Sequence, residues 1–269
     1  MAFFQRTANR ITLIGLLVLG FILPIGIATQ AQSNSLPIDQ LLPTLWTPPV
    51  DTGDLPGNRE GGGVRGCSIK LTALAPNPQD GAMVTATKHP SFFWYISQID
   101  SEDDWKIRFE LEEIGQKEQP EVFSTEYKLA KDHHGNDLSG VMRLDLPVDA
   151  AITPLEGDQS YRWSIVPICN GEPLPAAYGS LTVSTMSEQL QGQLEQATFQ
   201  QKVAIYARNG LWPETLSTLY DLSRFSPDNP QLNPQLQQAW LKLLNSVGLE
   251  KVAQELSLIY AQSPVTGSN

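Results

Sequence analysis

Between residues 105 and 113 apolar and polar side chains take turns along the chain. Ile107, Phe109 and Leu111 fall on one side of an extended segment, and Lys106, Arg108 and Glu110 fall on the other. Tyr161, Trp163 and Ile165 alternate with Arg162 and Ser164 in the same way. A period of two describes a strand with one face on a core and one face in water. The pattern predicts strands over residues 67–74, 82–87, 91–96, 105–113, 121–128, 140–146, 160–169 and 178–184. Turn signals separate them: Pro76-Asn77-Pro78-Gln79-Asp80-Gly81, His89-Pro90, Gly115, Gly135-Asn136-Asp137 and Glu156-Gly157-Asp158. Short strands with frequent turns predict an antiparallel β-sandwich of immunoglobulin or fibronectin type over residues 67–185. Phe92-Phe93-Trp94-Tyr95-Ile96, apolar without a break, is its central and most buried strand.

From Ser187 the period changes to that of a helix. Leu190, Leu194, Ala197, Val203, Tyr206 and Ala207 fit helical faces, and Gly210 ends that segment. Trp212-Pro213-Glu214 starts the next helix with a proline in its first turn, and the segment carries Leu216, Leu219 and Leu222 before Pro227-Asp228-Asn229-Pro230 breaks it. A third carries Leu236, Trp240, Leu243 and Leu244 up to Gly248, and a fourth carries Val252, Leu256 and Ile259. Asn209-Gly210-Leu211 and Val247-Gly248-Leu249 join helix pairs and lie 38 residues apart. Residues 186–262 thus read as a C-terminal α-helical hairpin region. It is either similar to tetratricopeptide repeats or an ordinary hairpin domain packed on the sandwich. Residues 263–269 read as a disordered tail.

The other end of the chain has a different character. Arg6 and Arg10 precede an apolar run from Ile11 to Ile27, and Thr29-Gln30-Ala31 supplies small residues for cleavage. Residues 1–31 therefore read as a secretory signal peptide. The alternative is an uncleaved anchor, although Gly15, Gly20, Pro24 and Gly26 interrupt a run already short for a membrane span. Residues 32–66, rich in proline and glycine, read as a linker in which Leu41, Leu42, Leu45 and Trp46 dock locally. Gly61, Gly63 and Gly66 match G-x-G-x-x-G in form alone. A strand-like segment follows where a dinucleotide site needs the N-terminus of a helix.

Composition narrows the chemistry. The 269 residues carry 18 Lys+Arg against 29 Asp+Glu, a formal net charge of −11, which argues against nucleic acid as a partner. Two cysteines and 3 histidines are too few for a zinc framework. Cys67 and Cys169 stand at the start of the first strand and the end of the seventh, and in an exported chain their default reading is a structural disulfide. His133-His134 sits in a polar turn, His89 enters a strand, and Asp100-Ser101-Glu102-Asp103-Asp104 lacks calcium-loop spacing. No nucleophile elbow or other placed catalytic motif occurs. The reading is therefore of a non-enzyme with no catalytic residues, no metal site and no cofactor.

Several features, taken in order, resemble a family of exported cyanobacterial proteins catalogued only as a domain of unknown function. They are Gly62-Gly63-Val64-Arg65-Gly66-Cys67, Leu71-Thr72-Ala73-Leu74, Pro90-Ser91-Phe92-Phe93-Trp94-Tyr95, Tyr161-Arg162-Trp163 with Cys169, and Asn209-Gly210-Leu211-Trp212 with Trp240, Leu243, Leu244 and Val247-Gly248-Leu249. The resemblance spans about residues 60–260 and implies export and a cyanobacterial origin, with no catalytic residues to carry over. The expected role is a periplasmic or envelope-associated protein-interaction module with a protein partner. The membrane is involved only through the N-terminal segment if that stays uncleaved. The alternative is a glycan-binding module or weak carbohydrate-active enzyme, motivated by the 6 tryptophans. Charge favours the helices as the docking face. Residues 64–185 carry a net −8, whereas the chain after Thr185 carries −2.

Overall fold

The apolar run at residues 92–96 lies in a strand buried on both faces, and the rest of the fold is arranged around it. A computed structural model describes residues 38–42, 46, 57–63, 67–99, 103–115, 121–129, 139–148, 152–157, 159–225 and 232–262. After a short helix α1 (Ile38–Leu41) come β1 (Glu60–Gly61), β2 (Ile69–Ala73), β3 (Met83–Thr85), β4 (Ser91–Ile99) and β5 (Trp105–Ile114). Then follow β6 (Glu121–Lys128), β7 (Gly140–Asp145), β8 (Ser160–Cys169), β9 (Glu172–Pro173) and β10 (Ala177–Val183). The helices α2 (Glu188–Gln196), α3 (Phe199–Arg208), α4 (Trp212–Phe225), α5 (Leu232–Asn245) and α6 (Glu250–Gln262) complete the chain. The expected signal segment, His133-His134 and the expected tail lie outside the described residues.

One sheet has the order β1-β2-β4-β7, and the other has β3-β10-β8-β5-β6 with β9 beside β8. Phe92 meets Phe109 at 4.7 Å and Trp163 at 5.9 Å between ring centroids, and Trp94 meets Tyr127 at 6.3 Å. That face of β4 therefore packs on the six-stranded sheet. Phe93, on the opposite face, lies 5.7 Å from Tyr220 of α4. Helices, four-stranded sheet and six-stranded sheet make three layers. A strand covered on both sides favours apolar residues on both faces, which is why 92–96 shows no alternation. β5 faces water on one side and keeps its alternation. Ile107, Phe109 and Leu111 are fully buried, while the other face carries ion pairs Lys106–Glu126 at 2.8 Å and Arg108–Glu110 at 3.0 Å.

The expectation of antiparallel pairing throughout is corrected at one place. β3 runs parallel to β10, with Met83 opposite Leu181 and Thr85 opposite Val183. The reason lies in the connection before it. A single 3₁₀ turn at Pro78–Asp80, capped by the Asn77 side chain, carries the chain from one sheet to the other instead of folding it back as a hairpin. Its direction is then set by where it lands.

The helical segment ending at Gly210 is also two helices, α2 and α3. Thr198 breaks it with a capping box: its hydroxyl accepts from the Gln201 N–H at 3.3 Å, and the Gln201 side chain accepts from the Thr198 N–H at 2.8 Å. The α3–α4 and α5–α6 pairs share one turn design. Gly210 and Gly248 take φ of 69° and 72°, a region open to glycine. Leu211 N–H bonds Tyr206 C=O at 3.0 Å and Gly210 N–H bonds Ala207 C=O at 3.2 Å; Leu249 and Gly248 repeat this on Leu244 and Asn245 at 2.9 and 3.2 Å. These are two Schellman caps, each with its following leucine buried. Strands and helices from Leu36 onward form one compact unit with a shared core.

Candidate functional site

The two helix hairpins meet the four-stranded sheet differently, and the difference leaves a cleft. At α4 the junction is closed. Trp212, 1% exposed, donates its indole N–H to Leu74 C=O at 2.8 Å. Arg143 on β7 lies within 5.7 Å of both the Phe93 and Tyr220 rings, reaches Asp145 at 2.6 Å and Asp221 of α4 at 2.7 Å. Burial works against its charge, yet hydrogen bonds and attraction from the two carboxylates hold its pKa above the ordinary arginine value.

Glu214, in the first turn of α4, closes the same junction from below. One carboxylate oxygen accepts from Thr85 Oγ1 and Ala86 N–H, both at 2.7 Å, and from Thr87 N–H at 3.2 Å. The other oxygen, Oε2, is buried without a hydrogen-bond partner. Burial raises the Glu214 pKa against the lowering effect of those donors.

At α6 the junction is open. A cleft of about 190 Å³ lies between the helix-facing side of β2 and β4 and the first turns of α6. Lys70, Thr72, Tyr95 and Ser97 form its floor, and Glu250, Lys251, Val252 and Glu255 its wall. Lys70 and Glu255 approach to 3.7 Å with half or more of one side chain in solvent. Burial, then the charge and hydrogen bond of Glu255, push the Tyr95 phenol up to about 12. Tyr95 therefore keeps its proton and donates to Glu255. Arg59, at the rim, spends its guanidinium on backbone carbonyls: Val247 at 2.6 Å, Gly248 at 3.3 Å and Ala75 at 3.3 Å. These contacts cap the end of the α5 turn and tie β1 to the helices. The cleft's charged groups serve the junction between layers, and its lining has as many acids as bases.

Residues singled out from sequence fall mostly elsewhere. Cys67 and Cys169 are bonded to each other, Cα atoms 6.3 Å apart, and link the two sheets at one end. Asp103 lies near the two sulfurs, but these are bonded to each other and are not free thiolates. Asp103 and Asp104, the described members of the acidic cluster, brace the turn after β8: Asn170 donates to Asp103 at 2.9 Å, and the Asp104 N–H donates to Asn170 at 3.0 Å. His89 Nδ1 sits 3.0 Å from Pro147 C=O.

Gly61 belongs to β1, where a Cβ would fall 2.7 Å from Ala177 N. Close strand packing accounts for that glycine, and β2 follows it. All 6 tryptophans are buried, Trp46 the most exposed at 7%, so none presents a ring face to a sugar. Thr72, Tyr95, Gly248, Leu249 and Val252 stand out in the sequence for strand, turn or helix pattern, and nothing there joins them into a cleft. Tyr95 hides in an apolar run and Glu255 on the polar side of a helix, with no local spacing to join them.

Among the described residues no helix is long and apolar enough to cross a membrane. No curated protein matches the chain. The family described as Domain of Unknown Function (DUF928) matches residues 58–257, and the chain belongs to that family.

Proposed function

We propose that the chain is an exported, non-enzymatic protein-interaction module of the periplasm or envelope, and that its helical layer carries the docking face. Phe199 and Phe225 carry this reading. They are 63% and 78% exposed, two of the three large apolar side chains in solvent among the described residues, with Val148. Phe199 begins α3 and Phe225 ends α4. In an antiparallel hairpin those positions share the open end, away from the Gly210 turn. Lys202 lies 5.6 Å from the Phe199 ring, which leaves a basic, aromatic patch on a nearly neutral layer. Aromatic side chains are enriched in protein interfaces relative to the rest of the surface.

The β layers are of immunoglobulin type in this reading. The strand orders β2-β4-β7 and β10-β8-β5-β6, with β3 parallel to β10, support that topology. The two Schellman-turned hairpins support the tetratricopeptide-like alternative for the helices, although two units are fewer than a free-standing solenoid needs. Export is supported by the basic-then-apolar N-terminal sequence and the Cys67–Cys169 bond.

The test compares the unaltered protein with a Phe199→Ser, Phe225→Ser double variant on immobilised bait in envelope extract. A specific protein retained by the first and lost from the second, at equal melting temperature, is the expected result. Equal retention by both, or retention by neither, would overturn the reading.

A further inference from the structure

The open cleft beside α6 keeps hydrogen-bonding groups in reserve after Lys70, Glu255 and Tyr95 have met each other. Glu60 stands opposite Thr72 across β1 and β2, and Thr72 stands opposite Tyr95 across β2 and β4. Opposed residues of antiparallel strands project from the same face, so these three form one row along the floor. Thr72 is 8% exposed and lines the cleft, yet its hydroxyl has no hydrogen-bond partner among the described residues. A hydroxyl so nearly buried keeps its bonding capacity for whatever enters the cleft.

The wall supplies a second set of donors, because α6 starts without a cap. Ser187 and Thr198 accept from first-turn N–H groups of α2 and α3. The residue before Glu250 is Leu249, whose side chain is apolar and 6% exposed. Among the described residues the N–H groups of Glu250, Lys251 and Val252 have no acceptor. Ala253 is the first to find one, on Leu249 C=O at 3.0 Å. N–H groups of a first turn open toward the residues before the helix, and Gly248 and Leu249 line the cleft together with Glu250 to Val252. These amides, at the positive end of a helix of 13 residues, favour a carboxylate.

Charge and size narrow the ligand. Arg59, Lys70 and Lys251 around the space are matched by Glu60, Glu250 and Glu255. A dianion meets three carboxylates there, and a lone amine meets three cations and a helix N-terminus. A molecule that carries one carboxylate and one ammonium on neighbouring atoms is opposed by neither set. The cleft holds about 190 Å³, and a cavity of about 150 Å³ takes benzene, so the occupant has roughly 6 to 10 non-hydrogen atoms. We infer that the cleft binds a free α-amino acid with a short side chain, its carboxylate on the first-turn N–H groups of α6 and the Thr72 hydroxyl, its ammonium toward Glu60 and Glu255. Lys70 stands 3.7 Å from Glu255, longer than a hydrogen-bonded ion pair, which leaves lone pairs of that carboxylate for the ammonium. The site shares no residue with the Phe199–Phe225 patch and stands or falls separately from it.

The experiment titrates the full chain with glycine, L-alanine, L-serine, L-aspartate and L-glutamate in turn, followed by calorimetry and amide NMR. At least one should bind saturably and move the amide resonances of Glu250, Lys251 and Val252. Acetate and methylamine, which carry one pole each, should bind at least roughly tenfold more weakly. Thr72→Val removes the hydroxyl and should weaken the bound amino acid roughly tenfold at unchanged melting temperature. The amide shifts are read on the unaltered protein, so the test survives a variant that fails to fold. Binding by none of the five overturns the inference, as does binding that leaves the three amides unmoved or a folded Thr72→Val protein that binds equally well. Acetate or inorganic phosphate binding as tightly as the best amino acid also overturns it, since the cleft would then be a plain anion site.

Discussion

The α4 and α6 junctions are built on the same sheet face by helices that follow near-identical turns, and they are closed to different degrees. At α4 a tryptophan donates into the sheet, an arginine is stacked against two rings and paired to two carboxylates, and a buried glutamate grips the β3–β4 turn. At α6 a cleft stays open over Tyr95, and a half-exposed Lys70–Glu255 pair spans it at 3.7 Å. Turn geometry repeats because glycine and leucine alone fix it. Closure does not repeat, because it depends on long side chains contributed by distant strands. The first hairpin is therefore the fixed half of the helical layer and the second the looser half.

The contrast can be broken most severely at Trp212. Trp212→Ala removes a buried indole and leaves the Leu74 carbonyl unpaired, and is expected to cost about 3–5 kcal/mol in denaturant unfolding. Arg143→Ala comes next. It loses two ion pairs and two ring contacts, but Asp145 and Asp221 regain water, so about 1–2 kcal/mol is expected by the same measurement.

Glu214 sharpens the comparison through pH. Its folded-state pKa is raised above the unfolded value. Its contribution to stability is then complete below the ordinary glutamate range and is lost as pH rises through the raised value. The unaltered protein should lose stability over that interval relative to Glu214→Gln, which cannot ionise there. Tyr206 of α3 is the titratable group facing Glu214, while the β3–β4 turn offers it neutral donors. Parallel melting profiles for the two proteins would refute this assignment. The smallest effect belongs to the open junction: Glu255→Gln should change stability by less than about 1 kcal/mol, because its pair with Lys70 is solvent-screened.

How much of this could be read in the chain depended on whether a feature is local. The alternation of Ile107, Phe109 and Leu111 and the glycines at 210 and 248 carry their structural meaning in a few neighbouring residues. The Thr198-x-x-Gln201 box was equally local and readable, and it marks the break between α2 and α3 that periodicity alone passed over. The run 92–96 announced burial without naming what lies on its second face, because any apolar cover demands the same residues. β1 was hidden for a different reason. Glu60–Gly61 pairs through its backbone, and a glycine-rich stretch shows no alternation. The parallel pairing of β3 with β10 joins residues 98 positions apart, the cleft joins Tyr95 to Glu255 across 160, and no spacing rule reaches that far.

Native-state hydrogen exchange tests most directly whether the helical layer is one unit with the sheet, tight at α4 and loose at α6. The account predicts the slowest exchange in β4, slow exchange in α4, and α6 amides at least about tenfold faster than those of α4. Equal protection in α4 and α6, or both helices exchanging together while β4 stays protected, would contradict it.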